Sequence, residues 1–266
     1  MTPARLDTVA TLRAAGCVYA EIEAQLLSDA FAGAELDAMV ARRAAGIPLE
    51  QLLGWAEFCG LRILVAPGVF VPRRRTELLV REAAARRPRK VVDICCGSGA
   101  VGAALVHRLA DLDLCSADID PVAVLCARRN IEPLGGQVYE GDLYSALPQH
   151  LRGIVDVVVA NAPYVPTDAI GSMPPEARDH EPLVALDGGA DGLDVHRRIA
   201  VDAREWLSDG GSVLVETSVR QAERTAAIFA DAGLDPTVIH SEDLDGTVVV
   251  GAFRSGAVLP TENTPT

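Results

Sequence analysis

A chain of 266 residues, 49% hydrophobic and carrying a net charge of −13, can bury one large core and hold a small appendage. Its mean hydropathy is only +0.21 and no apolar run approaches the ~20 residues that cross a bilayer, so no membrane span is expected. The acidity repels nucleic acid, because phosphate contacts need concentrated Lys and Arg and a basic cluster such as Arg73, Arg74 and Arg75 is too short to reverse it.

In chain order, residues 1–54 read as a small helical cap. "YAEIEAQLLSDAF" puts Ile22, Leu26, Leu27, Ala30 and Phe31 on one helical face, and Gly46 and Pro48 end the last cap helix. "EFCGLRILVAPGVFVP" alternates and is expected to form a β-hairpin turning at Pro67-Gly68, within a linker of residues 55–75. From residue 76 to 256 helical and strand patterns alternate, from "TELLVREAAARR" and "KVVDIC" to "RQAERTAAIFADAG" and the closing pair "PTVIHSED" and "GTVVVGAFR". Alternation predicts an α/β fold, a doubly wound, mostly parallel seven-stranded sheet with helices on both faces. The short turn at Asp245-Gly246 makes the last two strands antiparallel neighbours. Residues 257–266, ending "LPTENTPT", read as a disordered tail. The N-terminal "MTPARLDTVATLRAAG" lacks the apolar centre of a secretory signal. The six cysteines form no CxxC pair and read as buried free thiols. A cytoplasmic protein without a metal site is expected.

Four stretches carry chemistry. In "VVDICCGSGAVG" a strand runs through Cys95, Cys96, Gly97, Ser98 and Gly99 into a helix. The glycines let the backbone approach a ligand and the helix offers its first amides. Gly97, Gly99 and Gly102 also match a dinucleotide fingerprint, with Asp118 about 20 residues on. Asp93, on the strand before the turn, discriminates: a carboxylate suits the cationic amino-acid end of S-adenosylmethionine and ill suits a pyrophosphate. In "SADIDP", Asp118 is placed to accept ribose hydroxyls, while Asp120 before Pro121 is a natural helix N-cap. In "EGDLYSALP", Asp142 either bonds the adenine amine, with Leu143 against the ring, or caps the short helix that follows. In "VVVANAPYVP", Asn161, Ala162, Pro163 and Tyr164 follow a strand whose end faces the ligand edge of a parallel sheet. The Asn161 side chain and the Ala162 carbonyl can grip the N–H groups of a planar amide or arylamine, with Tyr164 stacked on its face. Such a nitrogen is a poor nucleophile until acceptors aim it. The segment from Ser172 to Asp194 is too long for an idle connection and reads as a substrate loop; His180 within it and His196 beyond it read as surface residues.

"NAPY" resembles the Asn-Pro-Pro-Tyr signature of amino-methyltransferases. Its setting, from "GIPLEQLLGWAEFCGLRILVAPGVFVPRRRTELLV" through "DICCGSGA", "ADIDPVAVLCARRN" and "GDLYSAL" to "EPLVALDGGADGLDVHRRIA", resembles the protein-glutamine methyltransferases that modify peptide chain release factors. That resemblance implies a class I methyltransferase fold, a helical substrate-recognition cap, S-adenosylmethionine as cofactor, and transfer to the glutamine amide of a Gly-Gly-Gln loop in a release factor. It places Asp93, Cys95, Cys96, Gly97, Ser98, Gly99, Asp118, Asp142, Leu143 and Asn161 at the cofactor, and Asn161, Ala162, Pro163 and Tyr164 at the reacting amide. Two positions depart from the pattern. Cys95 replaces a glycine, which fits a position needing no positive φ. Ala162 replaces a proline, keeping the carbonyl but losing rigidity. The alternatives are an amino-methyltransferase acting on a small-molecule amine or on adenine, and a cofactor-binding paralogue without turnover. An NAD-dependent oxidoreductase is disfavoured by Asp93 and the Asn-Ala-Pro-Tyr turn.

Overall fold

The computed structural model describes residues 3–255; the expected disordered tail, 257–266, lies outside them. Among the described residues no helix is long and apolar enough to cross a membrane.

The N-terminal helices are α1 (Pro3–Ala14), α2 (Ala20–Ala30), α3 (Gly33–Ala44) and the short α4 (Leu49–Leu53). Pro48 therefore stands at the N-cap of a further helix rather than closing the last one, as its fixed φ suits a helix start. The buried face of α2 differs from the expected one. Ala20, Glu23, Ala24 and Leu27 point inward, and Ile22 is 60% exposed. An ion pair accounts for the rotation: Arg43 on α3 meets Glu23 in two hydrogen bonds, Nε to Oε2 at 2.6 Å and Nη2 to Oε1 at 3.3 Å. Losing either partner would strand a buried charge, so the pair sets the helix face.

Next comes a two-stranded hairpin, β1 (Trp55–Phe58) and β2 (Leu61–Leu64). It turns at Cys59 and Gly60, with φ of +52° and +75°, not at Pro67-Gly68. A two-residue hairpin turn of this hand needs positive φ at both central positions, which proline cannot supply. Pro67 and Gly68 instead form the middle of a separate turn closed by Val69 N–H to Ala66 O, the arrangement Pro-Gly favours. The Asn130 side chain ties β2 down: Oδ1 accepts the Leu64 N–H at 2.9 Å, and Nδ2 donates to Leu64 O at 2.9 Å and Ser98 O at 2.8 Å.

The main body runs α5 (Glu77–Ala85), β3 (Lys90–Ile94), α6 (Ala100–Arg108), β4 (Asp113–Asp118), α7 (Pro121–Ile131), β5 (Gln137–Glu140), β6 (Val155–Ala160), α8 (Pro175–His180), α9 (Asp194–Trp206), β7 (Leu207–Thr217), α10 (Ala222–Asp231), β8 (Asp235–Ser241) and β9 (Gly246–Ala252). The seven strands lie in the order β5-β4-β3-β6-β7-β9-β8. Pairs up to β7 are parallel, and β9 is antiparallel to both β7 and β8, matching the expected fold class. Alternation along each strand feeds two cores. Val91, Val157, Val159 and Leu214 meet Leu79, Leu105 and Ile131 on one face; Val92, Ile94, Val158 and Val215 meet Ile199, Trp206 and Phe229 on the other.

The chain leaves β3 toward β4 and β5 on one side and returns at β6 on the other. Ile94 is the register partner of Ala160, so the glycine turn after β3 and the Asn161 turn after β6 open side by side. That is the switch point at which open α/β sheets bind ligands. The segment carrying α8 docks on the cap and linker. Arg43 reaches Glu176, Gln51 donates to His180 O, and buried Glu181 accepts from Val71 N–H and Arg73.

Candidate active site

A cavity of about 480 Å3 opens at the switch point, walled by Phe70 from the linker, the glycine turn, the ends of β4 and β6, and Pro182 to Ala185.

At one end lies Asp93, 1% exposed. Its Oδ2 accepts the Gly102 N–H at 3.0 Å. Burial pushes its carboxyl up to about 7, with the Gly102 bond opposing and Asp118 adding to the rise; no basic side chain among the described residues compensates. A carboxylate so placed calls for a cation from a ligand. Asp118, at the end of β4, accepts the Gly97 N–H on Oδ2 at 2.8 Å and the Asp120 N–H on Oδ1 at 2.9 Å. Each oxygen keeps lone pairs for hydroxyl donors. Asp120 itself caps α7, accepting Val122 N–H at 2.9 Å, with Pro121 in the first turn, as its sequence position predicted. Cys95 departs from expectation, because its φ is +57°. A position where glycine would be unstrained is filled by a thiol that burial keeps neutral, at a cost of about 1–2 kcal/mol. Leu143 is also left-handed, with φ of +47°. Such strain gathers where a backbone is shaped around a ligand.

Asp142 makes no side-chain cap on the helical turn after it. Its Oδ2 pairs instead with Arg198 of α9 at 2.5 Å, and both residues line the cavity.

Beside the glycine turn Asn161 donates from Nδ2 to Thr76 Oγ1 at 3.2 Å. Pro163 lines the cavity, but Ala162 and Tyr164 do not. Ala162 is buried in the core beside Ala160. The Tyr164 hydroxyl donates to Glu216 Oε1 at 3.4 Å, and burial with the Glu216 charge pushes it up to about 12. Arg75 Nε reaches the same oxygen at 3.2 Å. In this arrangement the Tyr164 hydroxyl is tied to Glu216, on the strand beside the one that Asn161 follows.

The cavity therefore gathers Asp93, Cys95, Cys96, Gly97, Ser98, Asp118, Asp142, Leu143, Asn161 and Pro163. Gly99 stands apart as a packing residue: a Cβ there would lie 2.7 Å from Ile131 Cδ1. His196, read as surface, is fully buried with Nδ1 3.1 Å from Thr225 Oγ1. Burial lowers it to about 4, so it is neutral and structural. Sequence reasoning missed Phe70, Thr76, Arg198 and Glu216. Glu216 carried a visible signal, an acid ending the apolar run "SVLVET", as Asp93 does in its own strand.

Residues 60–172 match the family described as methyltransferase small domain. The chain is 41% identical to a release factor glutamine methyltransferase of Geobacter sulfurreducens over 73% of its own length and 69% of the relative's. It is 38% identical to the enzyme of that name in Mycolicibacterium smegmatis, over 89% and 91%. Among solved structures a methyltransferase from Pyrococcus furiosus superposes with a TM-score of 0.55 at 16% identity, over 73% and 89%, a likeness of fold.

Proposed function

Because the chain belongs to the release factor glutamine methyltransferase family, a group of S-adenosylmethionine-dependent enzymes, we propose that it methylates the side-chain amide nitrogen of the glutamine in the Gly-Gly-Gln loop of a peptide chain release factor. Its place of work is then the cytoplasm, where translation terminates. The observation that carries this reading is the orientation of Asn161. With Nδ2 committed to Thr76, its Oδ1 is the end left for an amide N–H.

S-adenosylmethionine supplies a methyl group on a positively charged sulfur. The buried carboxylate of Asp93 fits its ammonium, and Asp118, with a lone pair free on each oxygen, fits the ribose hydroxyls. The second oxygen of Asp142 fits the adenine amine, with Leu143 against the ring. At the acceptor end Asn161 Oδ1 takes one N–H of the glutamine amide, and the Ala162 carbonyl, buried in this structure, takes the second once it turns toward the substrate. Holding both hydrogens keeps electron density on nitrogen and aims its lone pair. As the nitrogen gains the methyl, the sulfur–methyl bond would break to leave S-adenosylhomocysteine, and the nitrogen would lose a proton to solvent. That proton becomes acidic only as the C–N bond forms, so no base is needed beforehand. Residues 1–54 act as the substrate-recognition cap, 55–75 as linker and 76–256 as the catalytic domain. Glu176 and Glu181 join the α8 segment to cap and linker, consistent with a loop that meets the protein substrate.

The test is mass spectrometry of a bacterial release factor incubated with the protein and labelled S-adenosylmethionine. A single methyl on the Gly-Gly-Gln glutamine is expected. Tight cofactor binding without that mark, or with the mark on a free arylamine instead, would overturn the substrate assignment.

A further inference from the structure

An asparagine amide has two ends of nearly equal size, and only its hydrogen bonds decide which one faces a ligand. For Asn161 to accept from a substrate N–H, its NH2 must face away. The partner on that side, Thr76, is ambivalent, since a hydroxyl donates as readily as it accepts. Something has to commit its single proton elsewhere.

Glu216 stands in the right place. The strand pairing sets Ala160 beside Val215, so Asn161, just past β6, and Glu216, near the end of β7, stand at the same level. Glu216 is 1% exposed. Its Oε1 takes Arg75 and Tyr164, while Oε2 has no partner of ordinary hydrogen-bond geometry. Burial raises the Glu216 carboxyl, and the neighbouring Thr76 hydroxyl, 2% exposed, and the Arg75 guanidinium oppose that rise. An ionised carboxylate only accepts. The Thr76 proton is drawn to it, and the Thr76 lone pairs are left for Asn161 Nδ2–H.

We infer that Thr76 and Glu216 are positioning residues that set the Asn161 amide with its oxygen toward the substrate, Glu216 acting through the Thr76 hydroxyl and anchoring Tyr164 at the same oxygen. This rests on the role proposed above for Asn161. The chain runs Asn161 Nδ2–H to Thr76 Oγ1, Thr76 O–H to Glu216, with Arg75 balancing the charge. Without it the amide turns over at little cost and presents a donor to a donor, so the glutamine still docks through the rest of its surface but its nitrogen is not held for reaction.

A double-mutant cycle tests this, with a Gly-Gly-Gln release factor as substrate and S-adenosylhomocysteine calorimetry to confirm a folded site. Thr76→Val, which keeps shape and removes the hydroxyl, is expected to lower kcat about tenfold to a hundredfold with KM within about twofold. Thr76→Ser should recover most of that loss. In an Asn161→Ala background, Thr76→Val should cost nothing further, because the residue it orients is gone. Glu216→Gln keeps the volume and should repeat the kcat loss, giving a second reading should Thr76→Val not fold. Losses that multiply in the double mutant, or wild-type kcat in either single variant, would overturn the inference while leaving Asn161 in place. A fully active Asn161→Ala would remove the mechanism on which it rests, and the inference with it.

Discussion

At the glycine-turn end of the cavity the Asp118 carboxylate is held by amides 2 and 21 residues away. On the acceptor side Asn161 is held by Thr76, 85 residues earlier, and Tyr164 by Glu216, 52 residues later. The first end is built from backbone donors that a strand-turn-helix presents wherever it forms. The second is built from side chains that only the finished sheet brings together. A backbone site tolerates substitution of its neighbours, as the cysteine at position 95 shows, whereas a side-chain relay depends on each of its members.

The sharpest way to separate the two ends is Asn161→Ala. If this amide acts chiefly at the moment of transfer, kcat should fall by roughly 10² or more with S-adenosylmethionine affinity almost unchanged. Full turnover in a folded variant would show that the acceptor end does nothing beyond shaping a turn. Asp118→Ala should do the reverse, weakening S-adenosylmethionine by about 1.5–3 kcal/mol in titration calorimetry. Equal affinity in the variant would move the ribose elsewhere.

That difference in range also explains what could be read from the sequence. The βα alternation, the Asp120 cap and the closing antiparallel pair are local patterns, and the structure has them. The hairpin turn was misplaced because Pro-Gly is a strong turn signal that serves a different turn class, while Cys59-Gly60 looks unremarkable until both residues take positive φ. The burial of Glu23, and with it the face of α2, depends on Arg43, 20 residues on. His196 passes for a surface residue until Thr225 covers it from α10. Thr76 is an ordinary residue at its own position and Glu216 shows only as an acid in an apolar strand; the finished sheet is what brings the two together.

Asp93 offers a milder test of the cofactor end. Its folded carboxyl is raised from 3.8 to about 7, so its contribution to apo stability is fully present below about pH 4 and is lost as pH rises through about 7. A ligand ammonium favours the ionised form. Binding of S-adenosylmethionine below pH 7 should therefore release a proton, and affinity should climb by up to about tenfold per pH unit until it levels near pH 7. Calorimetry at pH 6 in buffers of different ionisation enthalpy reads the proton directly; no release and a flat affinity would mean that Asp93 is already ionised without the ligand.

The smallest effect is expected at the strained turn. Cys95→Gly relieves the left-handed backbone but loses packing and adds unfolded-state entropy, so stability should change by less than about 1 kcal/mol. Cys95→Val places a β-branched side chain at φ of +57° and should cost clearly more in denaturant unfolding. Equal stability of the two would show that the turn can relax.

Asn130 does more than tie the hairpin down. By taking both the N–H and the carbonyl of Leu64, one side-chain amide imitates a further strand along the outer edge of β2. An unpaired strand edge is a template on which a second chain can grow. Here the outward N–H and carbonyl of Leu64 are taken from within by a helix, so that end of the hairpin offers a second strand neither donor nor acceptor.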